Sequence, residues 1–185
     1  METKNKIINV TYGLFADKGM EFTLNEVSKL VGIKKASIYA HFPSKEVLLY
    51  QLFNEEIDKY FIVIEQNSNT LKELYFGIIN YFGSSKEKLL FWKRLLLFPP
   101  DTMDSEIRQK IVRLSESRLQ KVKALICNEY HSGIKSEKDI DLLTVMFLSL
   151  VHGLLSSEFI SSKCVIENYI DEEWILFERT LKKEV

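Results

Sequence analysis

Apolar residues recur every three or four positions along most of this chain, which is the period of an amphipathic α-helix. Between residues 3 and 18, for example, Ile7, Ile8, Leu14 and Phe15 fall on one face, and Gly19 ends the segment. The sequence has no run of alternating apolar and polar residues joined by hairpin turns, which would mark antiparallel strands. The pattern therefore predicts an all-α fold.

Turn-forming residues divide the periodic segments into nine predicted helices. Three short helices precede a long fourth helix, which runs from Ser44 to about Gln66. The other five are separated by breaks at residues 67–69, 83–85, 99–100 and 131–133. The last helix spans roughly Glu167 to Lys182.

Residues 23–45 read as two short helices joined by a tight turn, followed by the start of a third. Thr23 and Glu26 have the spacing of a capping box, in which each side chain bonds the other residue's backbone N–H. Gly32 is placed to end the first helix, because glycine readily adopts the left-handed conformation found at helix ends. The stretch therefore has the order of a helix-turn-helix.

The second of these helices combines an apolar inner side with a cationic outer side. Ile38 and Phe42 are predicted to point inward and anchor it. The outer side chains include no acid; they are Lys34, Lys35, Ser37, Tyr39 and His41. Such a set suits a helix that lies in the DNA major groove. Lys45 begins the next helix, where the helix dipole disfavours a cation unless an anion such as a phosphate docks nearby.

These residues carry a resemblance to a known family. The matching positions are Gly32-Ile33, Ile38-Tyr39-Ala40-His41-Phe42, Ser44-Lys45-Glu46 and Leu48, with Ile8, Leu14, Phe15, Ala16 and Gly19 upstream. In spacing and residue type they are similar to the DNA-binding signature of the TetR family of bacterial transcriptional regulators (TetR/AcrR-like). Thr11 and Ser28 stand where that family usually has alanine, and Ala36 stands where it often has glycine.

The resemblance implies a nine-helix TetR-like architecture. A helix-turn-helix DNA-binding domain is expected at residues 1–46, and a helical ligand-binding and dimerisation domain at residues 47–185. Contacts to bases or the adjoining backbone are assigned to Lys34, Lys35 and Ser37. Phosphate contacts are assigned to Thr23, at its helix N-terminus, and to Tyr39, His41 and Lys45.

Net charge is the observation that weighs against DNA binding. The 185 residues include 25 Lys and Arg and 26 Asp and Glu, a formal charge of −1, whereas nucleic-acid-binding domains are usually basic. Residues 1–50, however, hold seven Lys and five acids, so they carry +2 and the remainder −3. This distribution fits a protein that touches DNA with one end. The near-neutral total leaves a helical ligand-binding or adaptor protein without specific DNA binding as the alternative.

Motifs for catalysis and metal binding are missing from the sequence. It contains no Walker-type loop, no G-x-S-x-G and no H-E-x-x-H, so we expect no enzyme and no bound metal or cofactor. Cys127 and Cys164 lack metal-site spacing, which predicts reduced thiols in a cytoplasmic protein. The most apolar run, Leu142–Leu155, is shorter than the roughly 20 residues that span a bilayer. We therefore expect a helix buried in protein and no membrane association.

Two further sites are predicted in residues 47–185. The last two helices are apolar on more than one face and need more than one apolar partner, and the resemblance implies a homodimer formed through them. The predicted interface residues are Phe147, Val151, Leu154, Leu155, Tyr169, Trp174 and Phe177, with a monomer core as the alternative. The resemblance also implies a pocket for a small-molecule effector, and apolar pockets are typical of such sites. Its predicted lining, unless these are ordinary core residues, is Phe76, Phe91, Trp92, Phe98, Met103 and Phe147.

These features together predict a homodimeric transcriptional regulator. It is expected to repress by binding a palindromic DNA operator and to be released by a small apolar or amphipathic ligand.

Overall fold

Nine α-helices and one 3₁₀ turn make up the described part of the chain. The computed structural model describes residues 2–62, 68–130, 136–160 and 169–182, with residues 158–160 as backbone only. The helices are α1 (Glu2–Lys18), α2 (Leu24–Val31), α3 (Lys35–His41), α4 (Lys45–Tyr60), α5 (Leu71–Gly83), α6 (Lys86–Leu97), α7 (Ser105–Tyr130), α8 (Glu137–Ile160) and α9 (Ile170–Lys182). The 3₁₀ turn is Gly19–Glu21. These residues contain no strand, and the all-α, nine-helix prediction is confirmed.

Helix ends fall close to the predicted breaks wherever both are described. Helix α4 keeps α-helical geometry to Tyr60 and continues through a π-helical turn at residues 61–62. The rest of its predicted length, to Gln66, lies outside the described residues. So do the predicted break at 131–133, the predicted start of the last helix at Glu167, and Cys164.

The chain packs as two compact units. Unit 1 comprises Met1–Tyr60 and Ser84–Arg113, and unit 2 comprises Phe61–Gly83 and Leu114–Val185. The predicted domains, 1–46 and 47–185, were drawn by expected function rather than by packing, and they stay a prediction.

Unit 1 is organised around an aromatic core shared by α1, α4 and α6. Tyr12 of α1 stacks on Phe91 of α6, with ring centroids 4.2 Å apart and planes 6° from parallel. Phe15 and Phe53 meet Phe91 edge-on at 5.2 and 6.1 Å. Helix α1 also packs against α2, so the helix-turn-helix rests on this core.

Two hydroxyls replace the alanines that the resemblance leads one to expect, and both are buried and hydrogen-bonded locally. Thr11 Oγ1 donates to the Ile7 carbonyl at 2.8 Å, and Ser28 Oγ donates to the Asn25 carbonyl at 2.9 Å. A helical Ser or Thr can return its hydroxyl proton to the preceding turn in this way. The departures from the family pattern are therefore accommodated without an unsatisfied buried group.

Unit 2 has its own aromatic cluster, formed by α5, α8 and α9. Tyr75 lies 5.3 Å from Trp174 and 6.4 Å from Phe147 between ring centroids. Phe147 and Phe177 lie 5.9 Å apart. The Tyr75 hydroxyl donates to the Ile170 carbonyl at 3.1 Å, and burial raises the pKa of this phenol above its ordinary value.

Candidate nucleic-acid interface

The capping box at the start of α2 is formed by the predicted residues. The Thr23 backbone N–H donates to Glu26 Oε2 at 2.7 Å, and the Glu26 N–H donates to Thr23 Oγ1 at 3.2 Å. Lys18 Nζ lies 2.6 Å from the same carboxylate. The hydrogen bond from Lys18, followed by those from Thr23, lowers the pKa of Glu26 to about 2. Thr23 itself is exposed, so the N-terminus of α2 lies at the surface.

The turn between α2 and α3 depends on Gly32. Its φ of 78° lies in the left-handed region. The Ile33 N–H donates to the Ser28 carbonyl at 3.0 Å, and the Gly32 N–H donates to the Lys29 carbonyl at 3.3 Å, which is the Schellman pattern of helix termination. This turn sets the direction in which α3 leaves α2.

Helix α3 presents the predicted outer face to solvent while its inner side is fixed. Ile38 and Phe42 are completely buried, at 0% exposure. The outer residues Lys34, Lys35 and His41 are exposed, Tyr39 is 45% exposed, and Ser37 is half-buried. Lys35 Nζ lies 5.8 Å from the centroid of the Tyr39 ring. The structure thus brings a cationic, acid-free helix face to the surface on a rigid base.

Lys45 is placed differently from the other predicted contacts. Its ammonium donates to the carbonyls of Met20 and Phe22, at 2.7 and 2.5 Å, and lies 4.0 Å from the centroid of the Phe22 ring. Burial lowers the pKa of this lysine. The cation at the N-terminus of α4 is thereby explained by two carbonyls within the chain, and its phosphate contact stays a prediction. Its visible role is to fix the α1–α2 connection against α4.

Two lysines that the predicted contact set omits lie on α1 and α2, the helices that precede α3. Lys4 Nζ lies 5.4 Å from the centroid of the Phe42 ring, and Lys29 is exposed on α2. No sequence spacing pairs Lys4 with Phe42, because they meet only through tertiary packing. Lys29 has a local signal, since it follows the helical period of α2 on the side opposite Val27.

The residues predicted for the dimer interface mostly face the interior of unit 2. Phe147, Val151, Leu154, Leu155, Trp174 and Phe177 are all at most 6% exposed, and only Tyr169 of this set is exposed, at 53%. The outward apolar face of α8 and α9 holds other residues, namely Leu142, Val145, Met146, Ile175 and Leu176. Both helices are apolar on two sides, and periodicity does not tell which side meets the chain's own core. The dimer interface stays a prediction, and this outward face is the apolar surface of α8 and α9 that remains exposed in the single chain.

The residues predicted to line one ligand pocket belong to both units. Phe91 and Trp92 are buried in the core of unit 1, whereas Phe98 is 76% exposed. Phe76 and Phe147 belong to the aromatic cluster of unit 2. Met103 lines a cleft of about 210 Å³ in unit 1, together with residues of α4 and of the α6–α7 connection. Four of the six residues thus lie in unit 1 and two in unit 2, and a common pocket lining stays a prediction.

Helix α8 has the length and composition of a membrane span over Glu137–Ser157, with a mean hydropathy of 1.7. The prediction of a helix buried in protein is met only in part, because 28% of that stretch is buried within the chain. The apolar surface left over is the outward face of α8 described above.

Comparison with known proteins gives consistent results. Residues 7–52 match the model for "Bacterial regulatory proteins, tetR family". The IcaR regulator of Staphylococcus aureus (strain Newman), a negative transcriptional regulator of the biofilm operon icaADBC, is 30% identical over 189 residues, covering 97% of this chain and 100% of IcaR. A regulator from Saccharomonospora viridis, solved with choline, has a TM-score of 0.72 at 18% identity, covering 96% of each chain. AibR, solved with isovaleryl coenzyme A and operator DNA, has a TM-score of 0.71 at 17% identity, covering 97% of this chain and 98% of AibR.

Proposed function

This chain belongs to the tetR family of bacterial regulatory proteins, and on that premise we propose that it is a cytoplasmic homodimeric repressor that binds a palindromic operator and is released by a small ligand. The family membership makes it a helix-turn-helix transcriptional regulator similar to the repressor IcaR. Operator binding, dimerisation and ligand release are the parts that the proposal adds.

The observation that carries the proposal is the exposed face of α3. Lys34, Lys35 and His41 are exposed to solvent, and the helix carries no acid. Ile38 and Phe42, on its inner side, are completely buried and anchor it. Rigid presentation lets side chains reach base edges without a large loss of conformational entropy on binding. The local excess of positive charge outweighs the formal charge of −1 of the whole chain, because only this end of the chain would approach the phosphates.

The homodimer is supported by the outward apolar face of α8 and α9. An exposed contiguous apolar surface usually marks an interaction site. An open groove of about 610 Å³ runs along this face, and Leu150, Leu176 and Glu173 are among its lining residues. Within the described residues, the buried Oε2 of Glu173 has no hydrogen-bond partner, and burial raises the pKa of this carboxyl group. A second copy would cover the apolar side chains. The two DNA-binding heads, meaning the helix-turn-helix of each copy, would fit successive major grooves if they were about 34–36 Å apart.

Release by a ligand is proposed by analogy with the structural neighbours. Choline and isovaleryl coenzyme A, the molecules with which those two structures were solved, differ so much that neither can be transferred to this chain. An apolar or amphipathic effector remains the proposal. A coupling free energy of about 1–3 kcal/mol would weaken operator affinity by about 5- to 150-fold.

The experiment is a fluorescence anisotropy titration of the full chain with duplex DNA from its own upstream intergenic region. Specific binding that is at least about 10³-fold tighter than binding to scrambled DNA is expected. The double variant Lys34→Ala, Lys35→Ala should lose this binding, whereas Lys121→Ala, which removes a charge from α7, should not. Equal affinity for both duplexes would favour the alternative of a helical ligand-binding or adaptor protein.

A further inference from the structure

The cleft that Met103 lines lies between the first turns of α4 and the α6–α7 connection, entirely within unit 1. Its apolar wall is formed mainly by Leu49, Phe53, Pro100, Met103 and Ile107, all of which are buried. At about 210 Å³, it is smaller than the roughly 300–1,000 Å³ of pockets for drug-sized ligands. The space therefore suits a ligand with one ring or one short chain.

The rim of the cleft is acidic. Glu46 at the start of α4 and Asp104 just before α7 are among the lining residues, and both are exposed. A hydrogen bond with Ser44 lowers the pKa of Glu46. A third acid, Glu106, accepts a hydrogen bond from the lining hydroxyl of Tyr50 at 2.8 Å. None of the described residues that line the cleft is a lysine or an arginine.

We propose that this cleft binds a small amphipathic cation, namely an alkylammonium group attached to one apolar ring or short chain. The apolar part would displace water from the wall that Phe53 and Met103 form, and the ammonium would lie at the rim between Glu46 and Asp104. An anion of the same shape would meet like charge from both walls, and a neutral molecule would gain only the apolar contact. Charge complementarity therefore selects the cation.

The position of the cleft gives such a ligand a route to the DNA-binding head. Met20 lines the cleft, and the carbonyl of Met20 also accepts the hydrogen bond from Lys45 at 2.7 Å. On the α4 side of the cleft, Tyr50 donates a hydrogen bond to Glu106 of α7. A bound cation would thus touch both the connection that precedes α2 and the helix that follows α3. This regulatory role rests on the DNA-binding function proposed above, whereas the ligand site itself does not.

The test uses three matched probes, 3-phenylpropylammonium, 3-phenylpropanol and 3-phenylpropanoate, titrated calorimetrically into the full chain. An exposed ion pair changes affinity by up to about fivefold, and the ammonium would pair with two carboxylates. It should therefore bind about tenfold more tightly than the alcohol, and the carboxylate should bind more weakly than both. Equal affinities for the ammonium and the alcohol, or no measurable binding of either, would overturn the site.

Charge-neutral variants locate the ammonium. Glu46→Gln and Asp104→Asn should each weaken binding of the ammonium by about three- to fivefold and leave binding of the alcohol unchanged. Asparagine keeps the side-chain oxygen that caps α7 through the Glu106 N–H at 2.7 Å, so Asp104→Asn preserves the fold. Glu116→Gln makes the same charge change at an exposed position of α7 outside the cleft and should have no effect. A loss as large in Glu116→Gln as in Glu46→Gln would refute specific pairing at the rim.

A second readout separates this inference from the proposed function. Operator affinity is measured by anisotropy with and without saturating 3-phenylpropylammonium, and a change of about fivefold or more is expected. If the ammonium binds but operator affinity stays the same, the regulatory role fails and the site stands. If the protein binds no DNA in the absence of the probe, the proposed function fails, and calorimetry still decides the site.

Discussion

At the scale of single residues, charge alone does not identify a DNA contact. Lys35 lies on the outer face of α3 and Lys45 begins α4. Lys35 is exposed to solvent, whereas Lys45 donates to two carbonyls and contacts the Phe22 ring. A lysine that is bonded within the chain has little freedom to neutralise a phosphate. The two lysines should therefore respond differently to mutation.

We expect Lys45→Met to lower the free energy of unfolding by about 1–2 kcal/mol, because two charge-assisted hydrogen bonds are lost while the apolar contact with Phe22 is kept. The salt dependence of DNA binding should stay the same. Lys35→Ala should leave stability within about 0.5 kcal/mol and reduce the salt slope by about one. Urea unfolding and anisotropy at several salt concentrations measure both. If Lys45→Met instead reduces the salt slope of DNA binding by one, that result would support the phosphate contact predicted for Lys45 from the sequence.

Glu26 makes the stability of the α2 capping box depend on acid. Its pKa is lowered to about 2 in the folded chain, from an ordinary value of 4.5. A carboxyl group whose pKa is depressed by folding stabilises the protein above its unfolded pKa, and this contribution is lost as the pH falls towards the folded pKa. The difference in melting temperature between the wild type and Glu26→Gln should therefore shrink as the pH falls from about 4.5 to about 2. Circular dichroism melts across this range measure it, and a constant difference would contradict the linkage.

At the scale of elements, the sequence predicted the features formed by neighbouring residues but not the contacts between distant segments. The capping box of Thr23 and Glu26 and the stop at Gly32 lie within a few residues of their partners, so spacing alone predicted them. By contrast, Arg94 of α6 donates to the Ala16 and Asp17 carbonyls at the end of α1, at 2.8 and 2.5 Å. That clamp joins distant segments, and no periodic pattern reveals it. The carbonyls that hold Lys45 were missed for the same reason.

The two elements of the helix-turn-helix should be sensitive to the conformation of Gly32 rather than to the space around it. Within the described residues, no atom beyond the two chain neighbours lies within 4 Å of a Cβ built there, but its φ is 78°. We expect Gly32→Ala to destabilise the protein by about 1–2 kcal/mol, because left-handed backbone strains an L-residue. Gly13→Ala is the matched control, since Gly13 lies inside α1 and, among the described residues outside its own helix turn, a Cβ there would meet the flexible carboxylate end of Glu87.

Once Glu87 moves aside, Gly13→Ala should stabilise α1 by about 0.5–1 kcal/mol. Urea unfolding of both variants tests the pair. Equal effects of the two substitutions would show that conformation is not the cause.

At the scale of the whole molecule, the sequence predicted that α8 and α9 need apolar partners on more than one face, and the structure shows which of their residues the chain itself buries. Phe147 and Trp174 pack in the chain's own core, whereas Leu142 and Leu176 point outward. Helix α8 is apolar on two faces, so its periodicity does not tell which face meets the chain's own core, and the prediction from the sequence assigned the large aromatic residues to the partner. Burial of those aromatics inside unit 2 leaves smaller aliphatic residues to cover the outer surface. Association should therefore depend on the aliphatic residues.

We expect Leu176→Glu to weaken self-association by at least about 30-fold, because a carboxylate would have to be desolvated against apolar side chains at a cost of about 2 kcal/mol or more. The monomer should stay folded, since Leu176 is 60% exposed in the single chain. Sedimentation velocity over a range of concentrations measures the dissociation constant, and a circular dichroism melt checks the fold. Val112→Glu introduces the same charge at an exposed apolar position of α7 and should not change association. If Leu176→Glu dimerises like the wild type, the outward face of α8 and α9 is not the interface. If its monomers keep full operator affinity, the DNA complex does not require two heads.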